Sequence, residues 1–328
     1  MNKQLTQNSE SSTPYSVQSQ EEVDLLQLWQ AIWSQKLKVI LITVVFAVGS
    51  VFFALSQPNL YKSEALLAPA VDDKSSSGLG ALAGQFGGLA SLAGVNLSST
   101  GNNKTEEALA ILKSREFITQ FVRKNNILIP LFALQPVRFS KGVALDPNIY
   151  DMSTNTWVRE VQSPYTAEPT DWEIYKSFSE ILTVSTDKQT GLVNVSIEWY
   201  VPEQAQAWVT LLIKGLNEHI KNRDVSEAQK SIAFIREKIK EVSLLDMQTI
   251  FFNLIEAQGK TIMLAEVRDE YAFRTIDPAV VPLEKSRPKR ALMCVFGSLL
   301  GGMLGTLIAL VSYFVKKRLE AKPMNIAN

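Results

Sequence analysis

Apolar residues gather into two uncharged blocks near the ends of the chain, and between them the pattern is that of a water-soluble domain. Residues 39–55 read VILITVVFAVGSVFFAL, and residues 291–315 form a second, longer block without charge. A helix needs about 20 apolar residues to cross a hydrocarbon core of about 30 Å. The second block meets that length alone, and the first meets it with uncharged neighbours such as Leu60 and Tyr61. The pattern predicts two transmembrane helices, at residues 37–60 and 291–315. Two spans put both termini on one side of a membrane and everything between them on the other.

Residues 1–20 are rich in Ser, Gln and Asn and read as a disordered tail. Within 23–33, Leu25, Leu26, Leu28, Trp29 and Ile32 alternate with polar positions, which predicts an amphipathic helix leading into the membrane. The apolar block begins near residue 39, and no small-residue cleavage site follows it, so it reads as a signal anchor rather than a removed signal peptide. Trp29 and Trp33 suit a membrane interface, with Lys36 and Lys38 beside the headgroups. Lys and Arg flank both sides of each span without a clear bias, so local charge does not set the orientation.

In the soluble part, residues 61–68 predict a strand ended by Pro69. Residues 75–103 are uncharged and interrupted by Gly78, Gly80, Gly84, Gly87, Gly88 and Gly94. That stretch is too weakly apolar for a third span and reads as a flexible segment near the membrane or inside an oligomer. A helix is expected over 105–125, capped by Thr105, with Ala108, Ile111, Leu112, Phe117, Ile118, Phe121 and Val122 on its apolar side. Residues 126–170, punctuated by five prolines, read as irregular. A short helix follows at 171–180, then a hairpin of 181–186 and 192–200 in which Val193, Val195, Ile197 and Trp199 share a face.

Pro202 opens the longest helical stretch, where proline in a first turn removes no needed hydrogen bond. Val225, Ala228, Ile232, Ile235, Ile239 and Val242 recur at spacings of 3, 4, 3, 4 and 3. A mean period of 3.5 belongs to a narrow seam against one partner helix. Residues 203–242 would extend about 60 Å. A reversal near 243–246 and a second helix to about Phe273 supply that partner. The expected architecture is α+β: two transmembrane helices flanking an α/β base domain with a long protruding helical hairpin. Its expected parts are a tail with an amphipathic helix (1–36), the first span (37–60), the base (61–201), the hairpin (202–275), a Pro-rich return (276–290), the second span (291–315) and a tail (316–328).

Composition removes several functions. Lys+Arg and Asp+Glu both number 33, so no net field points to nucleic acid. The one cysteine, Cys294, lies in the second span, so no disulfide or thiolate metal site can form within a chain. Gly259-Lys260-Thr261 resembles the end of a P-loop, but the first glycine should fall at Leu254 and no strand precedes it. The Gly78–Ala83 stretch follows Asp72-Asp73-Lys74-Ser75 rather than an apolar strand, so a dinucleotide reading fails as well. His219, the single histidine, sits in a helix beside Ile220 and reads as a packed or solvent-edge residue. Nothing singles out carboxylates such as Asp171 or Glu198. No catalytic, cofactor-binding or metal-binding residues are expected, and the chain does not read as an enzyme.

The second span offers more. Gly297, Gly301 and Gly305 recur every four residues, with Gly302 alongside. Two overlapping GxxxG motifs let another helix backbone approach closely. Before the span, Pro278, Pro282 and Pro288 hold the chain extended, and Lys289 and Arg290 mark the interface.

These blocks, in this order, resemble the chain-length determinant (Wzz) family of bacterial polysaccharide co-polymerases. The resemblance rests on Val23-Asp24-Leu25-Leu26 through the first span to Tyr61-Lys62-Ser63-Glu64-Ala65, on EALAILKSREFITQF (107–121) and on TDKQTGLVNVSIEW (186–199). It rests also on LAEVRDEYAFRTIDPAVVP (264–282) and on Arg287-Pro288-Lys289-Arg290 with the Gly-rich span. The resemblance implies a bacterial inner-membrane protein with both termini cytoplasmic, a periplasmic α+β base and a helical hairpin. It implies a ring-shaped homo-oligomer that sets the length of a lipid-linked polysaccharide such as O-antigen, made by a separate membrane polymerase. The implied partners are other copies of the chain, the membrane, that polymerase and the growing lipid-linked glycan. Relatives that export capsule carry a cytoplasmic tyrosine kinase after the second span. Thirteen residues follow Val315, so here a kinase is expected to need another chain. The alternatives are an export adaptor that pairs with such a kinase and a two-span sensor, for whose output domain the short tail leaves no room.

Overall fold

The computed structural model describes residues 29, 32–70, 100–137, 142–241 and 245–320. The expected amphipathic helix at 23–33 falls largely outside the described residues; the Gly-rich segment is outside them except for its last residues, and so is Val242. The chain forms two compact units, Met1–Ala54 with Arg290–Asn328, and Leu55–Lys289.

The first unit is built from two apolar helices, α1 (Lys36–Ser56) and α8 (Arg290–Glu320). Both are long and apolar enough to cross a membrane, α8 through Lys316. Their flanks expose Leu41, Val45, Phe52, Val295, Leu299 and Leu307, an apolar surface that suits lipid rather than water.

The second unit centres on a four-stranded antiparallel sheet in the order β6-β7-β1-β8. Its strands are β1 (Tyr61–Pro69), β6 (Leu182–Thr186), β7 (Val193–Trp199) and β8 (Phe273–Asp277). In β1 and β7, register pairs Ser63 with Ile197, Ala65 with Val195 and Leu67 with Val193, all six buried. Alternation along both strands therefore puts one face, apolar except for Ser63, toward the core. The long helix α6 (Pro202–Ile239) lays its first turns on that face through Ala205, Trp208, Val209, Leu212, Ile213 and Leu216.

Smaller helices complete the core. The expected single helix at 105–125 is two, α2 (Thr100–Leu112) and α3 (Arg115–Lys124). Ser114 breaks the run: its extended backbone and its Oγ, which accepts from the Phe117 N–H at 3.2 Å, cap a new helix. Thr105, expected as a cap, sits inside α2. Residues 126–137 and 142–170 are more ordered than the prolines suggested. They hold α4 (Leu128–Ala133) and two small antiparallel pairs, β2 (Leu134–Pro136) with β3 (Val143–Leu145) and β4 (Tyr150–Asp151) with β5 (Thr156–Trp157).

Helix α5 (Asp171–Ile181) starts with a reciprocal cap between Thr170 and Glu173. Arg159 grips Glu173 with both guanidinium nitrogens, at 2.6 and 2.9 Å. Those hydrogen bonds are the main reason the Glu173 carboxyl is lowered to about 2, with burial opposing them and the Thr170 N–H and hydroxyl assisting.

Helix α7 (Leu245–Val267) runs back along α6. The expectation that it continues to Phe273 is wrong. It stops at Val267, and Phe273 opens β8, where it is buried and pairs with Pro69. The physical reason is Asn217, buried in α6. Its Oδ1 accepts from the N–H of Ala272 at 2.8 Å and of Phe273 at 2.9 Å, and its Nδ2 donates to the Phe273 carbonyl at 3.0 Å. One side chain thus satisfies backbone groups that a helix would otherwise have used.

Candidate functional site

In the first unit, α1 and α8 meet along the glycine ladder. A Cβ built on Gly297 would collide with the Ser50 side chain. At Gly301 it would lie 2.6 Å from Phe46 Cβ and 3.2 Å from Thr43 Cα, and at Gly305 3.1 Å from the Val39 carbonyl oxygen. As α8 advances from Gly297 to Gly305, its neighbours on α1 recede from Ser50 to Val39, so the two helices run antiparallel. Gly302 lies to one side, with Thr43 Oγ1 3.9 Å from its Cβ position. The small polar residues opposite are satisfied within α1: Thr43 donates to the Val39 carbonyl and Ser50 to the Ala47 carbonyl, both at 2.8 Å. The contact is therefore one of close backbones without interhelical hydrogen bonds from these two hydroxyls.

In the second unit, the outer part of α6 carries the seam. Ala228 is buried, and Val225, Ile232, Ile235 and Ile239 are half-buried. Helix α7 answers with Gln248, Phe251, Ile255, Gln258, Ile262 and Ala265, again at spacings of 3, 4, 3, 4 and 3, all half-buried except the fully buried Ala265. Sequence reasoning missed this matching seam, although its period was there to read. At its foot, Arg223 bonds Glu107 and Asp224, and the Tyr271 hydroxyl donates to Asp224 at 3.0 Å.

The Pro-rich return is anchored rather than loose. Ser63 donates to the Val280 carbonyl at 2.8 Å, and Leu60 pairs with Arg287 across an antiparallel bridge. Pro278 and Lys289 are exposed, while Pro282, Pro288 and Arg290 are half-buried.

Gly259-Lys260-Thr261 lies within α7, so it forms no phosphate-binding loop. His219 packs edge-on to the Phe117 ring, 5.6 Å between centroids. Among the described residues, no group of three or more His, Cys, Asp or Glu is placed to hold a metal.

An α+β unit whose ends lead into two paired apolar helices defines a class of protein built around a membrane. The model of the chain length determinant protein family, Wzz, matches residues 21–125. The chain thus carries a match to the Wzz domain over those residues. A second model, the G-rich domain on putative tyrosine kinase, matches residues 246–314. Among solved structures, a full-length bacterial polysaccharide co-polymerase is 14% identical, with 91% of this chain and 100% of that chain covered and a TM-score of 0.38. A fragment of WzzB, a polysaccharide co-polymerase from Salmonella Typhimurium, is 12% identical over 70% of this chain and 100% of that one, with a TM-score of 0.33. No curated protein matches.

Proposed function

We propose that this chain is a non-catalytic regulator of polysaccharide chain length, a two-pass inner-membrane protein with both termini cytoplasmic and residues 62–288 periplasmic. It acts as a homo-oligomer beside a separate membrane polymerase that builds a lipid-linked glycan of the O-antigen type. The observation that carries this reading is the Wzz match over residues 21–125, which takes in α1, β1, α2 and α3 as one block. Two further features support it. The glycine ladder lets the two spans pack closely, which suits a two-pass anchor. On α7, Met247, Ile250 and Leu254 expose an apolar row away from the seam, which suits a neighbouring copy.

The decisive experiment is the glycan length distribution on a gel, with the gene deleted and then restored. A modal length that is lost and regained supports the regulator, and an unchanged distribution rejects it. Restoring instead Gly301→Leu with Gly305→Leu should give normal insertion but a broad, short distribution, because leucine keeps the span apolar while forcing α1 away.

A second reading, an adaptor for polysaccharide export that pairs with a separate cytoplasmic kinase, is favoured by the G-rich match at 246–314. Loss of surface polymer export with an unchanged length mode would select it. Both readings require reporter fusions at residue 150 and at the carboxy terminus to fall on opposite sides.

A further inference from the structure

The return segment carries an apolar feature that the fold does not use. Leu283 is 96% exposed, Val280 65% and Val281 42%. A leucine held almost wholly in water is costly unless something covers it.

This loop is held at both ends. On one side, the Val280 carbonyl accepts from Ser63 Oγ and the Ala279 carbonyl from Gln206 Nε2 at 3.3 Å. On the other, Ser286 donates its N–H to the Leu60 carbonyl and its hydroxyl to Glu198, both at 2.8 Å. Arg287 also pairs with Glu198 at 3.2 Å. Residues 281–285 therefore leave and rejoin the unit beside Leu60 and Ser63, only about 10 Å apart along a strand. The ordering of the loop is already achieved before any partner arrives.

The place of those anchors identifies the partner. Leu60 follows the end of α1 at Ser56 by four residues, and Arg287 precedes the start of α8 at Arg290 by three. The loop is thus pinned where the chain passes into both apolar helices. Glu284 offsets Lys285 and Glu198 offsets Arg287, so the loop brings its apolar side chains to that place without a net charge to desolvate.

We propose that Val281 and Leu283 dip into the headgroup and acyl boundary of the bilayer, making the 281–285 loop a third membrane contact besides the two spans. The inference rests on the two-span reading of α1 and α8.

The test uses the purified full chain in vesicles of phosphatidylethanolamine and phosphatidylglycerol, with no other protein present. A nitroxide is placed at Leu283→Cys, at Val295→Cys within α8 and at Lys188→Cys on the exposed β6–β7 turn, each with Cys294→Ala. Collision rates with oxygen, which concentrates in the bilayer, and with a water-soluble nickel chelate are compared. The oxygen-to-nickel ratio at 283 should exceed that at 188 several-fold and approach that at 295. A ratio at 283 equal to that at 188, with 295 in lipid, overturns the loop contact and leaves the two-span reading intact. Low collision with both reagents at 283 means burial against another copy and overturns it too. An aqueous reading at 295 overturns the two spans and the loop together.

Discussion

Helix α6 is one continuous element with two different apolar faces. From Ala205 to Ile220 its buried residues are 205, 208, 209, 212, 213, 216, 217 and 220, a wide stripe at alternating spacings of 3 and 1. From Val225 outward the inward positions are 225, 228, 232, 235 and 239, a narrow seam at spacings of 3 and 4, and only Ala228 is fully buried. The wide stripe meets the sheet, with Phe117 and Phe121 of α3 alongside at Gly215, while the narrow one faces the matching seam of α7. The width of an apolar stripe reports how many partners a helix has.

That contrast can be broken most directly at Leu212, which is fully buried against the sheet. Leu212→Ala should cost about 2–5 kcal/mol, read as a lower denaturant midpoint of the whole unit. A cost near zero would mean that the wide stripe is not a core.

Asn217→Leu should come next, at about 3 kcal/mol, because two backbone N–H groups and a carbonyl lose their partner while staying buried. Hydrogen exchange at Ala272 and Phe273 checks the mechanism, since both amides should lose protection.

Acid should act on the base through Glu173. Its folded value of about 2 lies below the ordinary 4.5, so its stabilisation is fully present above about 4.5 and is lost as pH falls toward 2. The shift corresponds to about 3 kcal/mol at most. Arg159→Met should flatten stability against pH across that window, and an unchanged slope would show that the pair does not govern it.

The smallest effect belongs to the seam. Ile235→Ala removes a half-buried side chain and should cost about 1 kcal/mol, less than Leu212→Ala. Adding Ile239→Ala should raise exchange in the outer turns of α6 and in α7 while the sheet stays protected. Equal losses from Leu212→Ala and Ile235→Ala would erase the distinction between the two faces.

Much of this was legible in the chain because periodicity is local. The β6–β7 hairpin, the start of α6 at Pro202 and the 3.5-residue seam each follow from residues a few positions apart. The glycine spacing likewise pointed to a close helix contact, but only tertiary structure shows Ser50, Phe46, Thr43 and Val39 opposite it. The break at Ser114 was readable as a serine followed two positions later by Glu116, yet the apolar run through it masked the signal. Two features lay beyond any local window. An asparagine inside a helix reads as a surface residue, so Asn217 gave no hint of its backbone partners. Strand β8, with Arg274 and Asp277 among its five residues, is defined by its neighbour β1 rather than by its own composition.

The Asn217 contact also separates two kinds of evolutionary freedom. Because one amide holds both the N–H and the carbonyl of Phe273, the returning strand cannot slip by a residue, a shift that would turn Phe273 outward. Beyond Asp224 and Tyr271 the two helices meet through matched seams of period 3.5, and they behave as a mast stepped into a fixed deck. Seven residues added to each helix keep the seam in phase and lengthen the mast by about 10 Å. Stature and foundation can therefore drift independently across descendants of this chain.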